Sequence, residues 1–306
     1  MSRRGGVPRG ARIRTGIPLN SLNTKTYPYA FLVPAGVVYG LLFLLPTIMS
    51  FFFGMTRWTL TDWQFTGLDN FVTFFSEPSL NIGIINTLIY AVVTSGLKVV
   101  LGFALAVLLT SRLKSKNLIR SIIFFPTLLS TIAVGITFSN LFHPTMGAIN
   151  GLLAGVGIQG PDWLGDVRIA LLSVAFVDVW KGVGIALVIF IAGIMSIPGH
   201  YYEALAIDGG NARHKLFALT IPLARPAINS VILLSFIGGL RTFDLVWTMT
   251  GGGPGFTTDL VASIIYKQYQ GGFYGLATAG NVLLVVLVSA LVVPLSRFLS
   301  RSEVDL

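Results

Sequence analysis

The sequence contains no cysteine, and only 11% of its 306 residues are charged. The absence of cysteine excludes disulfide bonds, a thiol nucleophile and any cysteine metal site. The three histidines, His143, His200 and His214, are too far apart for a paired-ligand spacing, so no metal site is predicted. Soluble domains carry about 25% charged residues, so this composition is not that of a soluble protein.

Long apolar runs take the place of the missing charge. The chain is 54% hydrophobic, with a mean hydropathy of +0.79. Six stretches are long enough to cross a bilayer as helices, which takes about 20 residues. They are too long and continuous for barrel strands, so we predict an all-α membrane protein with six transmembrane helices. The predicted spans are about 29–55, 84–110, 119–142, 168–197, 223–249 and 273–299.

Basic residues are unevenly distributed around these spans. The net charge is +9, but the basic residues flank the apolar runs and do not alternate with aromatic residues on one face. No nucleic acid partner is therefore predicted. Because Lys and Arg concentrate on the cytoplasmic side, both termini are predicted to be cytoplasmic. Fifteen lie on that side, namely Arg3, Arg4, Arg9, Arg12, Arg14, Lys25, Arg112, Lys114, Lys116, Arg120, Arg213, Lys215, Arg225, Arg297 and Arg301, against Arg57, Arg168, Arg241 and Lys267 on the other.

The predicted organisation is simple outside the membrane. Residues 1–28 form a basic cytoplasmic arm without an apolar core, so they are not read as a cleavable signal peptide. Residues 29–300 form one transmembrane domain, and 301–306 form a cytoplasmic tail. The long external connections are 56–83, 143–167 and 250–272. The last contains TGGGPG, which lacks the Gly-Lys-Ser/Thr of a P-loop and is interpreted as a flexible external turn.

One cytoplasmic segment, YYEALAIDGGNARHKLFALTIPLARP at 201–226, is unusually polar for this chain. It predicts a helix from Tyr201 to Ile207, broken by Asp208-Gly209-Gly210 because glycine tolerates the backbone angles that end helices. Asn211 is the predicted N-cap of a second helix over 212–220. Pro222 and Pro226 mark the start of the fifth span.

Two interpretations of this helix–turn–helix are open on physical grounds. It is either an amphipathic connector lying on the lipid headgroups or a docking element for another protein. A headgroup connector is rich in Lys and Arg. Here Glu203 and Asp208 lie near the tip, beside small residues that permit close approach, and this favours docking.

The spacing of the segment resembles the signature of permease subunits of binding-protein-dependent ABC importers, Glu-Ala-Ala, three residues, Gly, nine residues, Ile-x-Leu-Pro. Leucine or isoleucine replaces three motif residues, and all three positions stay apolar. The matching positions are Glu203, Ala204, Leu205, Asp208, Gly209, Leu219, Ile221 and Pro222. Further matches to the carbohydrate-type subgroup (maltose, glycerol phosphate and oligosaccharide importers) are Gly67 to Phe71, Asn86-Thr87, Pro126, Trp180-Lys181, Phe243-Asp244 and Thr250 to Pro254.

The resemblance implies a type I ABC importer permease fold in a bacterial or archaeal cytoplasmic membrane. The loop over 199–222 would be a coupling helix seated on a separate ATPase, with Gly209 making its turn. The implied partners are a second, different permease, two ABC ATPase subunits, an extracytoplasmic solute-binding protein and membrane lipid. This chain has no Walker motif, so it is not predicted to be an enzyme, and ATP and Mg²⁺ would be bound by the ATPase subunits.

Polar residues inside spans indicate where a solute could pass. Asp178 and Lys181 either form a local ion pair or line a path with Trp180, Gly182 and Ile185. The fifth span carries a small, polar face that is either a packing seam or a wall for a sugar. That face comprises Ser235, Gly238, Gly239 and Thr242, and weaker candidates on the sixth span are Thr278 and Asn281. Lys98, on the second span, is expected to pair with an interior acid such as Asp178.

Three other classes fit less well. A secondary transporter is expected to show helices broken at matching positions of two halves, and none is apparent. An intramembrane enzyme lacks HExxH and Gly-x-Ser-x-Gly elements. A channel needs a selectivity ring, which nothing marks. The prediction is therefore a sugar or oligosaccharide importer subunit, with an ion-coupled transporter or an ABC permease for glycerol phosphate as alternatives.

Overall fold

The computed structural model describes residues 29–59, 61–111 and 115–301. The predicted N-terminal arm, residues 112–114 with Arg112 and Lys114, and the tail beyond Arg301 lie outside these ranges. The chain divides into two compact units, one ending at Met49 and one beginning at Ser50. In the first unit, a 3-10 turn over Tyr29–Leu32 leads into α1 (Val33–Tyr39), a π-helical stretch over Gly40–Leu44 and the start of α2 (Leu45–Gly54).

The second unit is a helical bundle with one small hairpin. Strands β1 (Thr56–Trp58) and β2 (Trp63–Phe65) pair antiparallel, with Arg57 opposite Gln64. The helices of its first half are α3 (Asp69–Ser76), α4 (Pro78–Leu109), α5 (Lys116–Phe124), α6 (Thr131–Leu141), α7 (Ala148–Gly155) and α8 (Ala170–Met195). Those of its second half are α9 (Gly199–Ile207), α10 (Ala212–His214), α11 (Ile221–Leu223), α12 (Arg225–Leu240), α13 (Asp244–Met249), α14 (Val261–Gln270) and α15 (Tyr274–Ser300).

Helix α4 lies at the centre of the bundle and packs along both α8 and α12. Small residues permit these close crossings. A Cβ added to Gly102 would lie 2.8 Å from the Cβ of Ala186, and one on Gly239 would lie 2.7 Å from the Cα of Ala91. Leu187 and Phe190 of α8 are fully buried in the same apolar cluster as Leu109 of α4. The core therefore brings α4, α8 and α12 together, where the polar candidates lie.

Four helices among the described residues are long and apolar enough to span a bilayer, and the number rises to six if each of two bent pairs counts as one span. The four are Val33–Gly54, Pro78–Leu109, Ala170–Met195 and Tyr274–Ser300. They correspond to the first, second, fourth and sixth predicted spans. The coarse prediction of a helical membrane protein is confirmed, while six crossings and cytoplasmic termini stay predictions.

The third predicted span is bent instead of straight. Lys116–Leu128 and Thr131–Leu141 meet at 97°. Pro126 lies in the 3-10 turn at the bend, where its ring and missing N–H disfavour a continued α-helix. Beyond it, Leu129 is extended at φ −75° and ψ 145°.

The fifth predicted span, 223–249, also differs. Helix α12 ends at Leu240, and α13 begins only at Asp244. Two consecutive glycines near the end of α12 weaken the helix there, and an acid in the first turn favours a new start. At its other end, Ala212–Leu223 meets Arg225–Leu240 at 67°. The two bends lie in the third and the fifth predicted spans, which are not matching positions of two three-span halves, so they do not form the paired breaks expected of a secondary transporter.

Candidate functional site

The polar segment at 199–223 folds as the predicted helix–turn–helix. Helix α9 ends at Ile207, and Gly209 turns the chain with φ +75°. The Gly210 amide donates to the Leu205 carbonyl at 2.8 Å, which closes the end of α9. The Asn211 side-chain oxygen accepts from the amides of Arg213 and His214 at 3.0 Å each. The predicted glycine turn and asparagine cap are confirmed.

Contacts that the sequence did not predict join the two arms of this segment. The Lys215 ammonium lies 4.7 Å from the centre of the Tyr202 ring. The Tyr202 hydroxyl is 3.3 Å from the hydroxyl of Thr220, which itself donates to the Lys215 carbonyl at 2.9 Å. A cation over an aromatic face is stabilising by about 0.5–1 kcal/mol at exposed sites. The second arm runs as a π-helix over Lys215–Thr220 instead of the predicted α-helix.

The signature residues separate into two groups by exposure. Glu203, Ala204, Asp208 and Gly209 are exposed, together with Ile207 at 87%. The half-buried group consists of Leu205, Leu219, Ile221 and Pro222. The tip therefore presents two carboxylates around a large exposed apolar side chain. Such a mixed surface suits a protein partner better than water.

A cavity of about 310 Å³ lies where α4, α8 and α12 meet. Gly182 and Ile185 line it from α8, and Ser235 and Gly238 line it from α12. These four predicted path residues are therefore brought together. The remaining lining residues are Lys98, Ala186, Ile189, Val231 and Leu234. Apart from Lys98 and Ser235, the wall consists of apolar side chains and glycine.

An ion pair borders this cavity. The Lys98 ammonium lies 2.7 Å from the Asp178 carboxylate, with 10% and 19% of the two side chains exposed. Gly182 makes room for the lysine stem, because a Cβ there would lie 2.7 Å from the Lys98 Cε. In the described part of the chain no salt bridge joins Asp178 to Lys181. The sequence raised two possible partners for Asp178, Lys181 and Lys98. The structure shows the pair with Lys98.

Tyr90 was missed by sequence reasoning and lies beside this pair. Its side chain is fully buried, and its hydroxyl has no hydrogen-bond partner among the described residues. Asp178 and Thr242 are its polar neighbours. An aromatic residue in an apolar run carries no signal for this role, because such residues usually fill the core.

Other predicted path residues lie elsewhere. Trp180 is 37% exposed, with its ring centre 5.1 Å from that of Phe138, and it does not line the cavity. Gly239 packs on α4, so this part of the fifth-span face is a seam. The Thr242 hydroxyl donates to the Gly238 carbonyl at 3.0 Å.

Lys181 and Asn281 complete the predicted set. The Lys181 carbonyl accepts from the Thr127 hydroxyl at 2.9 Å. Asn281 and Thr278 line a separate cavity of about 380 Å³, together with Phe243 and Tyr266. Some predicted path residues therefore lie in the cavity beside Lys98, in this second cavity or in the packing seam, whereas Trp180, Lys181 and Thr242 line neither cavity.

Comparison with known proteins decides the family. Residues 98–302 match the family described as "binding-protein-dependent transport system inner membrane component". The chain belongs to this family. The match covers the ion pair, the cavity, the helix–turn–helix at 199–223 and α15, so the candidate site of the permease lies within the matched residues.

Named relatives agree with this assignment, and a solved structure shares the fold. The permease is 29% identical to the trehalose/maltose transport system permease protein MalF of Thermococcus litoralis, over 85% of this chain and 89% of that protein. It is 30% identical to the arabinooligosaccharides transport system permease protein AraP of Bacillus subtilis, over 88% and 87%. A bacterial ABC transporter involved in alginate import shares the fold, with a TM-score of 0.77, 23% identity, and 89% and 94% coverage.

The TGGGPG segment of the permease is anchored by hydrogen bonds, unlike the flexible turn expected. Positive φ at Gly251 (59°), Gly252 (90°) and Gly255 (60°) shapes the turn. The hydroxyls of Thr250 and Thr258 lie 2.8 Å apart across it. Glycine at these positions is therefore explained by backbone conformation, without a phosphate ligand.

Residues 256–261, which follow the TGGGPG segment, are hydrogen-bonded to α4. The Asn86 side-chain amide donates to the carbonyls of Thr257 and Asp259, both at 3.0 Å, and more weakly to Phe256 at 3.4 Å. The Thr87 hydroxyl accepts from the Val261 amide at 3.0 Å. One motif piece, Asn86-Thr87, thus holds the residues that follow the other, Thr250 to Pro254.

Replacing Asn86 with alanine is expected to lower the free energy of unfolding by about 2 kcal/mol, because buried carbonyls lose their donor. The matched control is Asn81→Ala on the same helix, where an exposed amide makes one bond of 3.4 Å to the Phe75 carbonyl. Thermal unfolding of the purified permease in detergent measures both. Equal shifts for the two variants would show that Asn86 does not hold the segment.

A buried carboxylate completes this region. Asp259 is fully buried, 2.7 Å from the Lys267 ammonium and 2.8 Å from the Ser263 hydroxyl. Burial raises the pKa of the Asp259 carboxyl, and the hydrogen bonds from Lys267 and Ser263 oppose that rise. Gly252 leaves room for the pair, because a Cβ there would lie 2.6 Å from the Lys267 ammonium nitrogen.

Proposed function

We propose that this permease forms half of the membrane pathway of an ATP-driven importer for a sugar or oligosaccharide. The observation that carries the proposal is the exposed signature tip at Glu203 to Gly209, held by the two arms, in a chain of the binding-protein-dependent family. Two relatives are named for trehalose/maltose and for arabinooligosaccharides, which supports a sugar or oligosaccharide as the solute.

Coupling would occur at that tip. ATP and Mg²⁺ would bind to two separate ATPase subunits, whose closure pushes the coupling segments together and changes the permease from inward-facing to outward-facing. Such a rigid-body transition needs a segment that transmits force without unfolding. The contacts of Tyr202 with Lys215 and Thr220 support this, since they tie both arms to one unit.

The membrane arrangement proposed is six crossings with both termini cytoplasmic. It counts each bent pair as one crossing and follows the distribution of Lys and Arg around the spans. The basic arm 1–28, the transmembrane domain 29–300 and the tail 301–306 keep their predicted assignments. A second, different permease completes the pathway, and an extracytoplasmic solute-binding protein delivers the solute.

The proposed path runs beside α8 and α12. The cavity lined by Gly182, Ile185, Ser235 and Gly238 supports it, and Asp178 acts through its pair with Lys98. Thr242 lies near the buried Tyr90 hydroxyl. Trp180, Lys181 and Asn281 remain proposed path residues outside this cavity, and the close packing of Gly239 favours a structural role.

Uptake by the reconstituted importer tests this function. Proteoliposomes holding the permease, its second permease and the ATPases, with binding protein and radiolabelled maltose or trehalose outside, are expected to accumulate sugar only with ATP inside. An ATPase variant that cannot hydrolyse ATP is the control. Accumulation driven by an ion gradient without the ATPases would contradict the proposal and support a secondary transporter. Uptake of glycerol phosphate, but not of neutral sugars, would instead support the other alternative.

A further inference from the structure

We propose that the Lys98–Asp178 pair sets the charge selectivity of the pathway, so that the wall beside α8 and α12 accepts uncharged polyhydroxylated solutes. The inference rests on the proposed function, because it assigns the 310 Å³ cavity to the solute path. It concerns the electrostatic character of that cavity, which can be measured without knowing the cargo.

The first step is the position of the charges. Lys98 is the one charged residue among those that line this cavity. Its ammonium is 2.7 Å from the carboxylate of Asp178, which belongs to the neighbouring helix α8 and lies 80 residues further along the chain. The pair therefore places the Lys98 cation at the cavity wall, and Asp178, which does not line the cavity, neutralises its charge.

The second step is that an ion pair is an inefficient way to stabilise the contact between these helices. A buried ion pair loses much of its attraction to desolvation, and well-packed apolar residues of similar volume are often equally or more stabilising. Helices α4 and α8 already share an apolar core that includes Leu109, Leu187 and Phe190. Close packing at Gly102 adds to this contact. These helices therefore share extensive apolar contact in addition to the pair.

The third step is what the pair does to the cavity. An isolated ammonium facing a low-dielectric cavity attracts anions strongly, and an isolated carboxylate attracts cations. The paired groups carry no net charge, yet they keep polar atoms beside the Ser235 hydroxyl. Hydroxyl groups of a sugar can exchange hydrogen bonds with such a wall, whereas a solute with net charge gains nothing from it. The two side chains together therefore favour neutral solutes.

The absence of cysteine from the chain permits a direct test. A single thiol is introduced by Ser235→Cys, and its modification rates by an anionic reagent (sulfonatoethyl methanethiosulfonate) and a cationic one (trimethylammonioethyl methanethiosulfonate) are measured in permeabilised membranes containing the importer. Their ratio reports the potential in the cavity. In this background, Asp178→Asn is expected to raise the anionic-to-cationic ratio about a hundredfold, because a nearby lone charge at an effective dielectric of ~20 shifts the energy of each reagent by about 1.4 kcal/mol in opposite directions, which is about tenfold for each rate.

Companion variants supply the controls. Lys98→Met is expected to lower the ratio by a similar factor, and Lys98→Met with Asp178→Asn to restore it, because the wall is again neutral. Asn281→Cys, in the separate cavity, is expected to keep its ratio in all backgrounds. If one single variant does not fold, the other still gives a shift of predicted sign, and the double variant gives the neutral reference.

Two results would overturn the proposal. One is an unchanged ratio at Ser235→Cys in the single variants, or a double variant that shifts as far as a single one. The other is a thiol at 235 that neither reagent reaches, because the cavity would then be closed to solutes. A failed charge test with ATP-driven sugar uptake intact would refute the charge role alone. The expected shifts without ATP-driven uptake would refute the proposed function instead.

Discussion

Replacing Gly209 with valine is expected to reduce ATP-driven uptake at least tenfold while leaving the permease inserted and folded. Gly209 has φ +75°, and an L-residue in this region costs about 1–2 kcal/mol. Nothing lies within 4 Å of an added Cβ, so the effect comes from backbone strain instead of collision. The turn would open and displace Glu203 and Asp208 from their places at the tip. Co-purification of the ATPase and uptake into proteoliposomes measure the loss.

Two controls separate turn geometry from side-chain size. Gly199→Val makes the same change at the other end of α9, where φ is not positive and nothing lies within 4 Å, so uptake is expected to be nearly normal. Gly209→Asn should recover part of the activity, because asparagine tolerates the left-handed region better than valine. If Gly209→Val binds the ATPase and transports normally, the coupling role of this turn is wrong.

Replacing Gly239 with valine is expected to lower the free energy of unfolding by about 3 kcal/mol, because overpacking at a close helix crossing forces the backbones apart. An added Cβ would lie 2.7 Å from the Ala91 Cα and 2.9 Å from the Thr94 hydroxyl. The Ala91 contact is backbone, so no rotamer change relieves it. Helices α4 and α12 would separate, and thermal unfolding of the purified permease would begin at a lower temperature.

The adjacent residue provides the control. Gly238→Val places the same side chain on the same helix one position earlier, where nothing lies within 4 Å. Its unfolding temperature is expected to stay close to that of the unmodified protein, while the cavity that Gly238 lines becomes smaller. Similar destabilisation by both variants would mean that helix propensity, and not the contact with Ala91, decides the effect.

The sequence by itself determined the class, the apolar helices and the helix–turn–helix at 199–223. These depend on local properties, namely hydropathy over about 20 residues, the glycine at the turn and the side chain of the N-cap. Gly209 and Asn211 take their predicted roles because each acts on backbone only a few residues away. The family signature was readable for the same reason, since its spacing lies within one short segment.

Only the tertiary structure decided which distant residues meet. Asp178 pairs with Lys98 instead of its helical neighbour Lys181, since the packing of α4 on α8 brings the two charges together. Adjacent glycines on α12 differ because one faces Ala91 and the other a cavity. Asn86 holds a segment about 170 residues away. Helical spacing describes one helix, whereas burial, pairing and open space depend on the neighbouring helices against which each face packs.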